Sequence, residues 1–408
     1  MNNIKSPTHL NWLLIICNRY PHVGDPISGA FVKGQVDALS VKFNKVTVIA
    51  MTPYVPNIPI FKRFLTPAHQ RDIIAQNYVY QNIEIYFPKP IYFHSFYSKQ
   101  MASKRIAKWI VKNLFRNNRP DIIHAHFVIS SGIVAYELTK FFDIPIVLTN
   151  HENQNIFADL MKDSKIQNLL QKFTNIIRVT SVDKNLYETD LVSSKINIIP
   201  NGFPSKHFYI MNKTLARKYL NIPTDKFLLL SIGSLTKRKA YDSLIKSYRK
   251  IYEKYPNSIL TIIGTGPEEK FLKKLVGDYQ LSKCVSIVST EKTIEELNYW
   301  YNSADLFILT STAEGNPTVM FEALSCGLPV ITTNVGGVKE ILTKESGIVV
   351  EKPEDISEIV IRAIEREWDR DRIARDAHQY SWENIAEKIF ALYYSTIESK
   401  KKICGRPK

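Results

Sequence analysis

Residues 306–332 read LFILTSTAEGNPTVMFEALSCGLPVIT. The apolar run Leu306–Leu309 has the length and composition of a buried strand. Pro317 suits the first position of a helix, where its fixed φ helps and its missing N–H costs nothing. That helix is expected to run to about Ser325, with Gly327 ending it and Pro329 forbidding its return. Val330–Thr332 then supplies a second apolar strand. A strand, a crossover helix and a second strand in this order form a parallel pair.

The same alternation runs through the chain. Strands are expected at 12–17, 46–50, 83–86, 122–124, 146–148, 176–179 and 196–199, and again at 227–232, 259–263, 285–288, 306–309, 330–332 and 348–350. With helical patterns between them, they imply parallel sheets covered on both faces. At 408 residues the chain is long enough for two such domains. The fold class is therefore α/β, two doubly wound Rossmann-like domains facing a cleft, with ligands at the carboxyl ends of the strands. Pro200-Asn201-Gly202 is a turn signal followed by a stretch without strand periodicity to Asp225. The expected organisation is an N-terminal domain over 1–203 and a second over 204–380. A crossover helix over 381–398, capped by Ser381, then packs back on the N-terminal domain, and 399–408 form a frayed basic tail.

Composition narrows the class. A hydrophobic content of 45% with 23% charged residues is ordinary for a soluble globular protein. No apolar run approaches the roughly 18–20 residues of a membrane span, and Trp12–Cys17 lacks a signal peptide's cleavage pattern. Cys17, Cys284, Cys326 and Cys404 are scattered without paired spacing, so reduced thiols and a cytoplasmic location are expected. The net charge is +15, and residues 1–200 carry 23 basic against 13 acidic side chains. Such a basic half implies an anionic partner. Zinc-finger spacing, an RNP-type motif and a basic region with heptads are all missing from the sequence, which excludes the common nucleic-acid modules. Lys104, Lys108, Lys112 and Arg116 recur every four residues, with Arg105 beside the first and Ile106, Ile110, Val111, Leu114 and Phe115 on the adjoining face. This basic amphipathic helix either lies on an anionic membrane surface or turns its apolar side into the core.

In the opening stretch Glu314 falls in the strand-to-helix loop and Glu322 inside the helix. The first N–H groups of that helix, at Thr318 and Val319, offer a positive dipole end to an anion. Carboxylates repel phosphate but accept hydrogen bonds from hydroxyls on either side of one. A nucleotide-sugar has that pattern. A complete G-x-G-x-x-G is missing, which argues against a nicotinamide site. Neither an Asp-x-Asp in a suitable loop nor a His/Asp cluster of ligand spacing is found, so no metal is expected.

The segment 311–340, STAEGNPTVMFEALSCGLPVITTNVGGVKE, resembles the donor-binding segment of retaining family-4 glycosyltransferases of GT-B fold (glycosyl transferases group 1). SGAFVKGQ (28–35), DIIHAHF (121–127), LTNHEN (148–153), IIPNGF (198–203), GSLTKRKA (233–240), IIGTGP (262–267) and YSWENIA (380–386) extend the resemblance over nearly the whole chain. It implies a hexosyltransferase that moves a sugar from a nucleotide, UDP or GDP, to a saccharide or lipid-linked saccharide in polysaccharide or glycolipid biosynthesis. Such an enzyme works without a metal or other cofactor, and would sit peripherally on the inner face of the plasma membrane. The resemblance gives Glu314 to donor-sugar hydroxyls, Glu322 to the ribose, and the backbone of Asn316, Pro317, Thr318 and Val319 to sugar and diphosphate. Lys239 would neutralise the departing diphosphate. His151 would approach the sugar's distal hydroxyl, His126 would face the acceptor, and Gly29 would let backbone approach the diphosphate. Ser234 stands where the family usually has a phosphate-binding arginine, and Arg238 is near enough in sequence to replace it. Retention is attributed in the family to front-face attack without a protein nucleophile. Competing readings are a nucleotide-sugar epimerase or a phosphorylase on the same fold, the latter lacking a recognisable pyridoxal-lysine environment, and a non-catalytic nucleotide- or glycan-binding subunit.

Overall fold

The computed structural model describes residues 9–51, 75–88, 96–116, 118–182, 190–353 and 356–403. The last five residues of the basic tail, Cys404 among them, lie outside them. The described chain forms two compact units. The first takes residues up to Pro200 together with those from Ile385 onward, and Asn201–Asn384 form the second.

The first unit is built on strands β1 (Leu10–Cys17), β2 (Phe43–Ala50), β3 (Tyr78–Tyr80), β4 (Ile83–Tyr86), β5 (Ile122–His126), β6 (Ile146–Asn150), β7 (Asn175–Arg178) and β8 (Ile196–Ile198). They lie in the order β3-β4-β2-β1-β5-β6-β7-β8, all neighbours parallel except β3 with β4. Every residue of β5 and β6 is buried, as a strand covered on both faces requires. The antiparallel Tyr78-Val79-Tyr80 was not anticipated, because three residues at a sheet edge carry too little periodicity to read.

The helix Phe96–Leu114 settles one of the two readings left open above. Ile106 and Ile110, with Phe115 just beyond, are in the hydrophobic core, and Val111 and Leu114 pack against it. The apolar side is therefore committed to the protein. Lys104, Arg105, Lys108, Lys112 and Arg116 stay exposed, with Met101 and Trp109 among them.

The final helix, Trp382–Ile403, enters the first unit at Ile385. Phe390 and Tyr393 meet the Phe43 ring edge-on, at centroid distances of 5.8 and 6.2 Å. Asn175 donates to Thr396, and Lys400 reaches Asp143. The packing onto the N-terminal domain is as expected. The extent is not: 399–403, expected as frayed tail, are helical and tied down by that last contact.

The second unit contains β9 (Phe227–Ile232), β10 (Ser258–Ile263), β11 (Val285–Val288), β12 (Leu306–Leu309), β13 (Val330–Thr333) and β14 (Gly347–Val350). All pairs are parallel, in the order β11-β10-β9-β12-β13-β14. The strand order reverses between β9 and β12, where doubly wound sheets bind ligands. Leu228 and Leu230 enter one core and Leu229 the other; Phe307 and Leu309 likewise part from Leu306 and Ile308. Period-two burial thus hides inside an uninterrupted apolar run. Phe203 belongs here as well: its N–H donates to Tyr380 O and its carbonyl accepts from Trp382 N. These bonds move the boundary from Phe203 back to Pro200. Ser381 Oγ accepts from Asn384 N, the cap expected of it.

Candidate active site

The two loops that leave β9 and β12 meet at the switch point of the second sheet. A 3-10 turn over Lys237–Lys239 follows β9. Thr310 Oγ1 donates to Lys239 O (2.8 Å), and Thr312 N donates to Arg238 O (2.8 Å). Arg238 Nη1 returns a bond to Ala313 O (2.7 Å). The loops are stitched together before any ligand arrives.

That stitching places Glu314 between two cations. Lys239 Nζ lies 2.8 Å from its Oε1, and Arg238 Nη1 lies 2.6 Å from its Oε2. Ser311 Oγ donates to Oε1 as well (2.7 Å). Lys239 and Glu314 are nearly enclosed, whereas the Arg238 side chain is 44% exposed. Burial pushes the Glu314 carboxyl up, but Lys239 and then Arg238 outweigh it and hold the group below its ordinary range. Arg238 is thus no free loop charge: it is held against Glu314. A carboxylate has about four lone-pair positions, and these three donors leave one for a hydroxyl. Lys239, with three N–H donors, spends one on Glu314 and keeps others for an anion.

The helix Thr318–Ser325 begins one residue later than expected, with Pro317 as its cap rather than its first residue. The backbone of Asn316 is fixed from the side: Asn201 N donates to Asn316 Oδ1 (2.9 Å) and Asn201 Nδ2 to Asn316 O (3.2 Å). Both asparagines are in this unit, which explains the linkage of the PNG and GNP motifs. Glu322 takes a hydrogen bond on Oε2 from the buried Tyr301 hydroxyl (2.8 Å). Burial raises its carboxyl to about 7, with the Tyr301 bond acting in the opposite direction. Ser234 is exposed in the loop after β9. The glycines of GTGP serve the chain itself: a Cβ on Gly264 would lie 1.9 Å from the Gly233 carbonyl.

In the first unit the residues cluster at the ends of β5, β6 and β7. His126 closes β5 and His151 follows β6. His126 Nδ1 and His151 Nε2 are 2.9 Å apart. Phe31 and Phe127 flank His151 at 4.7 and 5.2 Å. His126, expected to face an acceptor, is instead wholly enclosed, stacked on His124 at 4.5 Å. His124 bonds the Tyr393 hydroxyl and Thr149. Gly29, expected against a diphosphate, has φ +65°, and a Cβ there would lie 2.4 Å from Arg19 O. The chain's own carbonyl therefore requires a glycine here, whatever ligand its backbone meets.

Two participants were missed from the sequence. Arg178 is almost fully buried and donates to Asn150 O (2.9 Å) and Glu152 O (3.3 Å), the carbonyls on either side of His151. An arginine ending an apolar strand was the available signal, since a buried guanidinium must be satisfied. Tyr301 gave no signal, its contact with Glu322 being purely tertiary.

The description "Glycosyl transferases group 1" matches residues 212–380, and "Glycosyltransferase Family 4" matches residues 60–206. TuaC of Bacillus subtilis (strain 168), a glycosyltransferase named for teichuronic acid biosynthesis, is 26% identical over 400 residues, 95% of this chain and 94% of its own. The alpha-monoglucosyldiacylglycerol synthase of Acholeplasma laidlawii is 27% identical over 237 residues, 53% of this chain and 59% of its own. The sucrose-phosphate synthase of Thermosynechococcus elongatus shares the fold with a TM-score of 0.74 at 19% identity, covering 96% of this chain and all of that one. The chain belongs to the family-4, group 1 glycosyltransferases of GT-B fold.

Proposed function

We propose that the protein is a retaining hexosyltransferase that takes its sugar from a UDP- or GDP-linked donor without a metal ion. It passes the sugar to a lipid-linked saccharide in polysaccharide or glycolipid synthesis at the inner face of the plasma membrane. The observation that carries this reading is the Lys239–Glu314–Arg238 triad at the strand-order reversal, one loop away from the start of the helix Thr318–Ser325. A fixed cation and helix N–H groups stabilise a departing diphosphate, the role a divalent ion plays elsewhere. Glu314 keeps room for one sugar hydroxyl, and Glu322 offers a carboxylate to the ribose. Retention by front-face attack is what membership in this family leads us to expect.

The acceptor side of the proposal draws on a relative named for a diacylglycerol product and another named for teichuronic acid biosynthesis. It also draws on the exposed row Lys104, Lys108 and Lys112, with Arg116 just beyond the helix, which would meet anionic headgroups by charge alone, since the apolar face of the helix is in the core. No helix among the described residues is long and apolar enough to cross a membrane.

A thermal-shift screen of UDP-, GDP-, ADP- and dTDP-sugars, run with and without excess EDTA and followed by donor hydrolysis, tests the donor reading. Stabilisation by one nucleotide class that survives EDTA is expected; a strict Mg²⁺ requirement would sink the metal-free mechanism. Binding without any turnover across acceptors would favour a non-catalytic subunit. Replacing the four basic residues by Gln should weaken binding to phosphatidylglycerol-containing vesicles, and wild-type binding should fall as salt rises. Vesicle binding untouched by the replacement would remove the helix from the proposal.

A further inference from the structure

We propose that Asn201 is a positioning residue for the loop 314–317: it clamps Asn316 so that the loop keeps its N–H groups unpaired and available to a ligand. The functional consequence rests on the reading of residues 316–319 as contacts to a sugar diphosphate; the clamp itself does not.

Asn201 turns its backbone N–H and its side-chain amide on one residue 115 positions away. The N–H donates to Asn316 Oδ1 (2.9 Å), and Nδ2 donates to Asn316 O (3.2 Å). Both residues are buried, so water competes little for these bonds. The Asn316 carbonyl belongs to the peptide bond with Pro317, which has no N–H of its own. Holding that oxygen fixes the plane from which Pro317 and the helix Thr318–Ser325 depart.

The preceding peptide is fixed by a different contact. Gly315 O accepts from Gly337 N (3.4 Å). Gly336 stands against it at φ +52°, where a Cβ would lie 2.3 Å from Gly315 O and 2.8 Å from Glu314 O. No peptide bond among the described residues is cis, and in a trans peptide the N–H points away from the C=O. With the Gly315 carbonyl turned toward residues 336–337, the Asn316 N–H is turned away from them. The carbonyls of Gly315 and Asn316 are thus committed to the protein. The N–H groups of Asn316, Thr318 and Val319 have no acceptor among the described residues. A loop whose carbonyls are used and whose N–H groups are free suits the oxygens of phosphate or sugar.

The segment that carries the clamp is itself anchored. Asn201 is the first residue of the second unit. Two residues on, Phe203 N donates to Tyr380 O (3.1 Å) and Trp382 N donates to Phe203 O (2.9 Å). The loop is therefore held to a fixed stretch of chain.

Hydrogen–deuterium exchange of the full-length protein without ligand reads the clamp directly. Asn201→Ala removes the Nδ2 bond and leaves the backbone one. Exchange in peptides covering 313–325 should rise about fivefold, the size of one lost neutral hydrogen bond, with the strands of the same unit unchanged. Asn201→Ser keeps a shorter donor and should fall between wild type and Asn201→Ala; it also serves if the alanine variant does not fold. Unaltered exchange over 313–325 in a folded variant would overturn the proposal. So would an equal rise across the whole second unit, the mark of a merely structural residue. Isothermal titration with UDP and GDP, and steady-state kinetics with the donor varied, read the consequence. For whichever nucleotide the wild type binds, Asn201→Ala should raise its Kd and the donor KM about fivefold, with kcat changed less. Unchanged Kd and KM in a variant with faster exchange would overturn the functional half of the proposal. A wild type that binds neither nucleotide, yet shows the local exchange change in Asn201→Ala, would uphold the clamp and strike the donor reading.

Discussion

The carboxyl edge of the second sheet is assembled from charges that satisfy one another, whereas that of the first is assembled from neutral rings that fall short of partners. In the second unit a buried carboxylate has a lysine, an arginine and a serine on it. In the first, two buried imidazoles bond to each other and leave an outer nitrogen apiece. The same parallel-sheet geometry underlies both edges, so the difference lies in what each loop contributes. A paired charge cluster keeps a cation in place against desolvation, as the proposed departure of a diphosphate would require. A neutral pair with spare hydrogen-bonding capacity suits an uncharged hydroxyl.

The sharpest test of this contrast is to remove the cation. Lys239→Ala should lower kcat by roughly ten- to hundredfold, since a charge-assisted hydrogen bond contributes about 1.5–3 kcal/mol. Arg238→Ala should cost less, because its half-exposed guanidinium is screened by solvent and already committed to Glu314 and Ala313. Steady-state kinetics on variants checked by circular dichroism would decide. If the arginine change proved the more damaging, Arg238 would be the phosphate ligand that replaces the arginine missing at Ser234, and Lys239 its support.

Glu314→Gln comes next. An amide can still accept from Ser311 but no longer balances two cations, and the proposed contact to the sugar would weaken where charge develops. A fall in kcat of about tenfold, or roughly 1.4 kcal/mol, is expected with donor KM little altered. An unchanged kcat would make Glu314 a structural counter-ion for Lys239 and Arg238, and the contrast between the two edges would lose its functional meaning.

Much of this arrangement was readable from the chain, and the reasons for the rest are physical. Strands such as β9 and β12 were legible because burial on both faces leaves no polar residue to interrupt them. The β3 edge was not, since Tyr78–Tyr80 is too short for a period. Glu314 and Glu322 stood out through their place around Pro317, yet their partners did not: Lys239 is 75 positions from Glu314, and Tyr301 reaches Glu322 only through packing. At Gly29 a left-handed glycine answers equally to a ligand and to the chain, and only coordinates show Arg19 O against it. His126 and His151 were each singled out, but no spacing rule links the ends of adjacent parallel strands into one hydrogen-bonded pair.

The smallest effect on rate is expected at Glu322, where the contrast can be sharpened by pH. Burial raises this carboxyl from its ordinary 4.5 to about 7, despite the Tyr301 hydroxyl. A group whose folded value lies above its unfolded one favours the protonated native state. Its stabilising contribution is therefore present below about 4.5 and is lost as pH rises through 7, up to about 3 kcal/mol. Glu322→Gln can still accept from Tyr301 and never ionises. It should melt higher than wild type at pH 8, with the gap closing toward pH 5. A ribose in the proposed position would, by contrast, gain from a carboxylate, and its surroundings would change little during transfer. The variant should therefore show a donor KM raised a fewfold, about 1 kcal/mol or less, with kcat retained. Wild-type donor affinity should also improve as pH passes 7 and the carboxylate forms. Melting curves and donor titrations over pH 5–8 separate these effects. A variant less stable than wild type at pH 8 would show that Glu322 is held as an anion in the fold, like Glu314. The carboxylate that costs stability in order to bind would then be an ordinary paired charge.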